Sequence, residues 1–195
     1  MKKKWFAINF TENRRISPWL LDFFENKTYT PKVGYALDIW FGIGQDSKYL
    51  AEKWYKVDAI DKDPIAIQKA KEFNHHDTIN FMQQDIHSFV PTKNYDVIIA
   101  FLSIFYLSKS SAKNLFTKIV EHMNVDGYLI MRLLWPQDDW KEIRTTWDIK
   151  ELRDVFEQYK QVKIISLQES YAKKYTAEKI LKNRHYVDIV VQKII

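Results

Sequence analysis

From Tyr35 to Trp135 the sequence alternates short apolar runs with amphipathic stretches, and this alternation limits the available folds more than any other feature. YALDIW reads as a buried strand, QDSKYLAEKW as a helix and KVDAID as a second strand. DPIAIQKAKEF opens with Asp63 as cap and Pro64 in the first turn, which marks a helix. INFMQQD and YDVIIAF are strands, SKSSAKNLFTKIVEHM is a helix expected to end near Asn124, and GYLIMRLLW is a strand after Gly127. DIKELRDVFEQY is a helix capped by Asp148. KQVKIISLQES and HYVDIVVQKI close the pattern as strands, joined by an excursion with no clear crossover helix. Ahead of all these, Ser17 and Pro18 start a short amphipathic helix, SPWLLDFFENK.

Strand–helix alternation demands a parallel sheet with helices on both faces. Two closing strands without a crossover add an antiparallel pair at one edge. The expected fold is therefore α/β: a Rossmann-like, doubly wound seven-stranded sheet with an antiparallel C-terminal edge hairpin. A chain of 195 residues suits one domain, 1–195, with residues 1–30 as an N-terminal helical cap segment. No apolar run reaches the roughly 18 residues of a membrane helix, and no signal-peptide pattern follows MKKKWFAINF, so a cytoplasmic protein without membrane contact is expected. The absence of cysteine excludes disulfides, thiolate metal sites and a cysteine nucleophile. The net charge of +5 reads as an ordinary lysine-rich surface, and a nucleic-acid partner is disfavoured.

In open α/β sheets the ligand lies beyond the carboxyl ends of the strands. The first strand leads into Asp38-Ile39-Trp40-Phe41-Gly42-Ile43-Gly44-Gln45-Asp46-Ser47, where glycines permit a sharp turn and close backbone approach. The second strand ends at Asp61, about 20 residues past the loop, the spacing at which a carboxylate accepts ribose hydroxyls. The third is followed by Asp85 and Ile86. Acidic residues at three successive strand ends are far more specific together than any one alone. A nicotinamide dinucleotide fits less well, because its loop needs a third glycine for helix–strand packing, and the chain has none there.

With these residues the chain resembles the class I S-adenosylmethionine methyltransferases. ALDIWFGIGQDSKYLAEKWYKVDAIDKDPIAIQKAK is similar to the first two motifs of that family, QQDIHSF to the third, YDVIIAFLSIFYL to the fourth and NVDGYLIMRLL to the fifth. The nearest resemblance is to the small tellurite-resistance-like and thiol-methyltransferase-like branch, which shares the SPW opening, the Asp-Ser after the loop and the closing hairpin. The resemblance implies an enzyme, a single methyltransferase domain that holds S-adenosylmethionine and releases S-adenosylhomocysteine. It implies that Asp38 orients the loop and the methionine amino end, while Gly42 and Gly44 let the backbone pass beside the cofactor. Asp46 and Ser47 line the pocket, Asp61 holds the ribose with Lys62 beside it, Asp85 and Ile86 meet the adenine, and Phe101 lies beneath the methyl group.

Transfer from a sulfonium needs alignment and water exclusion more than a catalytic dyad, so the catalytic residues and the acceptor stay unassigned. A small or soft nucleophile is the favoured acceptor, on a monomer or weak homodimer. The alternatives are a nucleic-acid methyltransferase and a methyltransferase-fold partner module with impaired cofactor binding. His75 and His76 suit a helix C-terminus, His87 a loop, and no metal spacing is found; His185 is a candidate base at the pocket rim. Phe105 reads as core, and Tyr106 is a candidate for the substrate side. Trp135, Trp140 and Trp147 read equally as a wall over the substrate or a packed loop. The segment AKKYTAEKILKNR reads as a solvated basic hairpin face, and the segment from Arg14 to Trp19 as a cover over the cofactor. Two departures stand out. Trp40 and Trp54 occupy positions where the family usually has glycine and where little space or a left-handed backbone is expected.

Overall fold

The computed structural model describes residues 15–26, 28–175 and 181–195. Residues 1–14, including Arg14 of the expected cover, lie outside the described residues, as does Lys179 of the basic excursion. The chain divides into two compact units, Met1–Phe89 and Val90–Ile195. A seven-stranded sheet runs in the order Ile79–Gln83, Lys56–Asp61, Tyr35–Ile39, Tyr95–Phe101, Met123–Leu134, Leu181–Lys193, Val162–Tyr175.

The first unit holds α1 (Pro18–Glu25), β1 (Tyr35–Ile39), α2 (Gln45–Glu52), β2 (Lys56–Asp61), α3 (Pro64–Phe73) and β3 (Ile79–Gln83). β1 pairs with β2 and β2 with β3, both parallel. Leu37, Ile39 and Ile60 are fully buried, because strands covered on both faces have no polar side to present, and Leu50 is buried on the inner face of α2. Asp63 caps α3 by accepting from the Ile65 N–H at 2.9 Å, with Pro64 in the first turn as the sequence predicts.

The second unit holds β4 (Tyr95–Phe101), a 3₁₀ turn (Ile104–Tyr106), α4 (Lys109–Glu121), β5 (Met123–Leu134), α5 (Ile149–Phe156), β6 (Val162–Tyr175) and β7 (Leu181–Lys193). β4 and β5 are parallel; β5–β7 and β7–β6 are antiparallel, the edge hairpin expected. Asp148 and Glu151 form a capping box at α5. Arg132 donates twice to buried Asp188, at 2.6 and 2.8 Å, and Ser170 Oγ adds a third bond at 2.7 Å.

Two boundaries differ from expectation. α4 ends at Glu121, not near Asn124, and β5 starts at Met123, ahead of Gly127. Tyr95 recruits this stretch: its N–H donates to the His122 carbonyl at 2.9 Å and it pairs with Met123. The register then shifts before Val97, with Asp126 at φ 67. Gly127 makes the bulge possible, since a Cβ there would meet the Asn124 carbonyl at 2.8 Å and that of Tyr95 at 3.0 Å. The hairpin is also longer than its apolar pattern. Pairing continues through Ala172↔Arg184 to Tyr175↔Leu181, so much of the basic excursion is ladder. An antiparallel ladder continues while backbone donors and acceptors find partners, whatever the side chains.

Trp54 sits where α2 ends. Its N–H donates to the Ala51 carbonyl at 2.9 Å and that of Tyr55 to Leu50 at 3.1 Å, the Schellman pattern that places Trp54 in the usual glycine position. Its φ is 71 and its ring is 84% exposed, so the left-handed backbone is strained and little packing compensates. Trp54→Gly is expected to stabilise the protein by about 1 kcal/mol. Urea unfolding measures this, and a loss of stability contradicts the assignment.

Candidate functional site

The loop after β1 is fixed from several sides. Trp40 N–H donates to the Ile60 carbonyl at 2.7 Å, tying the start of the loop to the end of β2. Gly42 and Gly44 have φ 62 and 78. Gly44 is the residue before α2, and a Cβ there would meet the Phe81 ring at 3.0 Å and Asn74 at 3.1 Å. Glycine is thus required both by conformation and by the close approach of β3 and the end of α3. Asn74 Nδ2 donates to the Ile43 carbonyl at 2.7 Å and clamps the loop.

The acidic residues divide by environment. Asp38 is buried and accepts from Ser47 Oγ at 2.6 Å, which joins the end of β1 to the first turn of α2. Asp46 Oδ1 accepts from the Ser17 N–H at 2.7 Å, so the approach to α1 is tethered to the loop-following helix. Asp61 is 3% exposed; Oδ2 accepts from the Gly42 N–H at 3.1 Å and Oδ1 from Asp63 at 3.0 Å. Burial pushes its carboxyl up to about 6, against the lowering effect of these backbone bonds. Asp85 is exposed and accepts from both the backbone and ring of His87, at 2.9 and 2.7 Å. The His87 backbone N–H, then its ring, hold Asp85 below the usual carboxylate range. Ile86 is buried.

Lys62 Nζ lies 4.9 Å from the centre of the Trp40 ring. Trp40 has φ 70, the left-handed backbone expected of a glycine position. Its indole is half-buried, with the Lys62 ammonium over the ring. The bond from the Trp40 N–H to the Ile60 carbonyl sets this residue beside the end of β2, which Lys62 directly follows. Phe101, at the end of β4, belongs to the second unit and is half-buried.

The second unit contributes a polar and aromatic cluster at the carboxyl end of β5. Asp138 is fully buried and accepts from Arg184 Nε, His185 N–H and Trp140 N–H, each at 2.9 Å. Arg184 stacks 3.7 Å from the Trp140 ring centre, and Arg144 lies 4.6 Å from that of Tyr106. Trp147 is core, against Phe116, whereas Trp135 and Trp140 are half-buried. Phe105 is core, as its sequence suggests. Burial raises the Tyr186 hydroxyl above the usual tyrosine range. Sequence reading missed Asn74 and Asp138. Only Asp138 carried a local sign, two acidic residues in an aromatic loop.

The comparisons with known proteins agree with this architecture. A family model described as tellurite resistance protein TehB matches residues 22–180. A curated relative from Haemophilus influenzae, a probable S-adenosyl-L-methionine-dependent methyltransferase TehB, is 27% identical over 106 residues. That match spans 53% of this chain and 37% of the relative's length. The crystal structure of TehB from Haemophilus influenzae superposes with a TM-score of 0.76 at 19% identity, covering 97% of this chain and 67% of that one. N-methyltransferase NodS from Bradyrhizobium japonicum, in complex with S-adenosyl-l-homocysteine, gives 0.69 at 14% identity over 97% and 98% of the two chains. Since the family match runs from α1 into the closing hairpin, the chain belongs to the tellurite resistance protein TehB family.

Proposed function

We propose that this chain is an S-adenosylmethionine-dependent methyltransferase acting on a small nucleophilic acceptor. The observation that carries this reading is Asp61. A buried carboxyl at the end of β2, raised by desolvation, gains most from hydroxyl donors that replace lost water. Backbone donors fill at most three of its roughly four lone-pair sites, which leaves capacity for a ribose hydroxyl. Asp38, through Ser47, holds the loop shape, and Gly42 and Gly44 keep the backbone bare of side chains there. Lys62, Asp85 and Ile86 follow the ends of β2 and β3, where an adenine would lie, and Asp46 anchors the segment before α1. Phe101 is assigned to the methyl side by its place at the end of β4. When bound, the cofactor supplies an activated methyl group, and the protein's task is alignment and exclusion of water.

We further propose a single functional domain, monomeric or weakly dimeric, acting in the cytoplasm. Among the described residues no helix is long and apolar enough to cross a membrane. A second reading, a partner module that no longer binds the cofactor, is favoured by Trp40 alone. Trp40→Gly removes a bulky ring and its left-handed strain, and is expected to tighten S-adenosylhomocysteine binding by about 1–2 kcal/mol in calorimetry. Weaker binding would make the indole part of the site. Binding by Trp40→Gly but not by the wild type would favour the partner module.

A further inference from the structure

Trp40 and Lys62 stand just beyond the carboxyl ends of β1 and β2, neighbouring strands paired from Tyr35↔Lys56 to Ile39↔Ile60. Lys62 Nζ sits 4.9 Å from the centre of the Trp40 ring, so a cation–π contact joins the two strand ends. Asp61, the last residue of β2, directly precedes Lys62. Its carboxylate accepts from the N–H of Gly42, two residues past Trp40, and from that of Asp63, next to Lys62. The groups that hold this carboxylate thus belong to the same two short segments that carry the indole and the ammonium. Asp61 is only 3% exposed, although ligands of such sheets meet the protein at these strand ends. Lys62 also has a second partner. The His87 backbone N–H and ring, and beyond them the Lys62 charge, hold Asp85 below the usual carboxylate range. The ammonium is therefore favoured over the indole and also toward the Asp85 carboxylate.

Resting on the methyltransferase reading above, we infer that the Trp40–Lys62 pair is a gate on the cofactor site: joined, it covers the Asp61 carboxylate, and it has to part before ribose hydroxyls reach that group. On opening, the ammonium leaves the indole and moves toward Asp85. The gate gives the strained Trp40 backbone a use. Glycine at φ 70 would relieve the strain, but it would leave the carboxylate uncovered. Lys62 is exposed, and an exposed cation–π contact biases an equilibrium of this kind roughly two- to fivefold. That is enough to slow entry of the cofactor without preventing it. A lysine that served only as a cofactor ligand would have the opposite effect, since its loss would weaken binding and speed nothing.

The test follows S-adenosylhomocysteine association by stopped flow in the full chain, in Lys62→Ala, Lys62→Arg and Trp40→Gly, and in the double variant Trp40→Gly/Lys62→Ala. Lys62→Ala is expected to raise the association rate about two- to fivefold. Lys62→Arg, whose guanidinium also stacks on an aromatic face, should stay near the wild-type rate. Trp40→Gly should raise the rate at least as much as Lys62→Ala, and adding Lys62→Ala to it should change nothing further, because the pair acts as one unit. Independently of the cofactor, carbon-13 NMR reads the Asp61 carboxyl, which burial and then the neighbouring Asp63 charge push up to about 6. In Lys62→Ala it should titrate lower, since water then reaches it, whereas loss of a nearby cation alone would move it higher. Slower or unchanged association in Lys62→Ala, additive effects of the two substitutions, or an Asp61 carboxyl that titrates higher overturns the gate while leaving the methyltransferase reading intact. No saturable binding by any of these proteins overturns both.

Discussion

Asp138→Ala is expected to destabilise the protein by about 3–5 kcal/mol, read from the urea unfolding midpoint. The substitution leaves the Arg184 guanidinium buried with its Nε bond gone, and Arg184 Nη2 has no partner even in the wild type. It also strips the His185 and Trp140 backbone N–H groups of their acceptor. An unpaired buried charge costs far more than the pair contributes, so Arg184→Met in the same background should recover part of the loss. A single-variant effect below 1 kcal/mol would mean that Asp138 is not the pin holding the start of β7 against the loop after β5.

Asp61→Ala should weaken S-adenosylhomocysteine binding by about 1.5–3 kcal/mol, roughly 10- to 150-fold. The carboxylate is assigned to the ribose hydroxyls, and charge-assisted hydrogen bonds in a desolvated site are of this size. Circular dichroism has to find the variant folded, because Asp61 also holds the Gly42 and Asp63 N–H groups. Asp61→Asn keeps the shape and loses the charge, and should fall between the two. Unchanged affinity in folded Asp61→Ala would remove the assignment.

The strands and helices were legible because each carries its own signal. Buried strands read as unbroken apolar runs, and Asp63-Pro64 and Asp148 through Glu151 announce helix starts. At Trp40 and Trp54 the sequence pointed to either tight space or a left-handed backbone, and the second holds at both, with the Trp54 ring exposed. What the sequence hid depends on partners far along the chain. The start of β5 is set by Tyr95, 28 residues before Met123, and the reach of the hairpin by backbone pairing to which side-chain pattern is indifferent. Asn74, clamping a loop 31 residues away, has no local mark of its role, and Asp138, holding a strand 46 and 47 residues away, is marked only by the acidic pair in its aromatic loop. Of the acidic strand-end residues, Asp38 and Asp61 are buried and engaged with the loop and the helix after it, while Asp85 is exposed on His87. The sequence gives all three the same appearance, and only burial separates them.

The pH dependence of binding tests the role of Asp61 without altering it. Its folded carboxyl sits at about 6 against an ordinary 3.8, so the folded protein holds this proton more tightly than the unfolded chain does. This group's contribution to stability is therefore greatest at low pH and declines as pH rises from about 3.8 to about 6. Ligand hydroxyls favour the ionised form, and the sign for binding is the reverse: affinity is full above pH 6 and falls as the carboxyl protonates below it. The most direct measurement is a calorimetric titration of the intact chain with S-adenosylhomocysteine across this range. One-to-one saturable binding, weakening toward tenfold per pH unit below about 6 in the wild type but not in Asp61→Ala, is the predicted result. No saturable binding at any pH, in the wild type and in Trp40→Gly alike, would contradict the account.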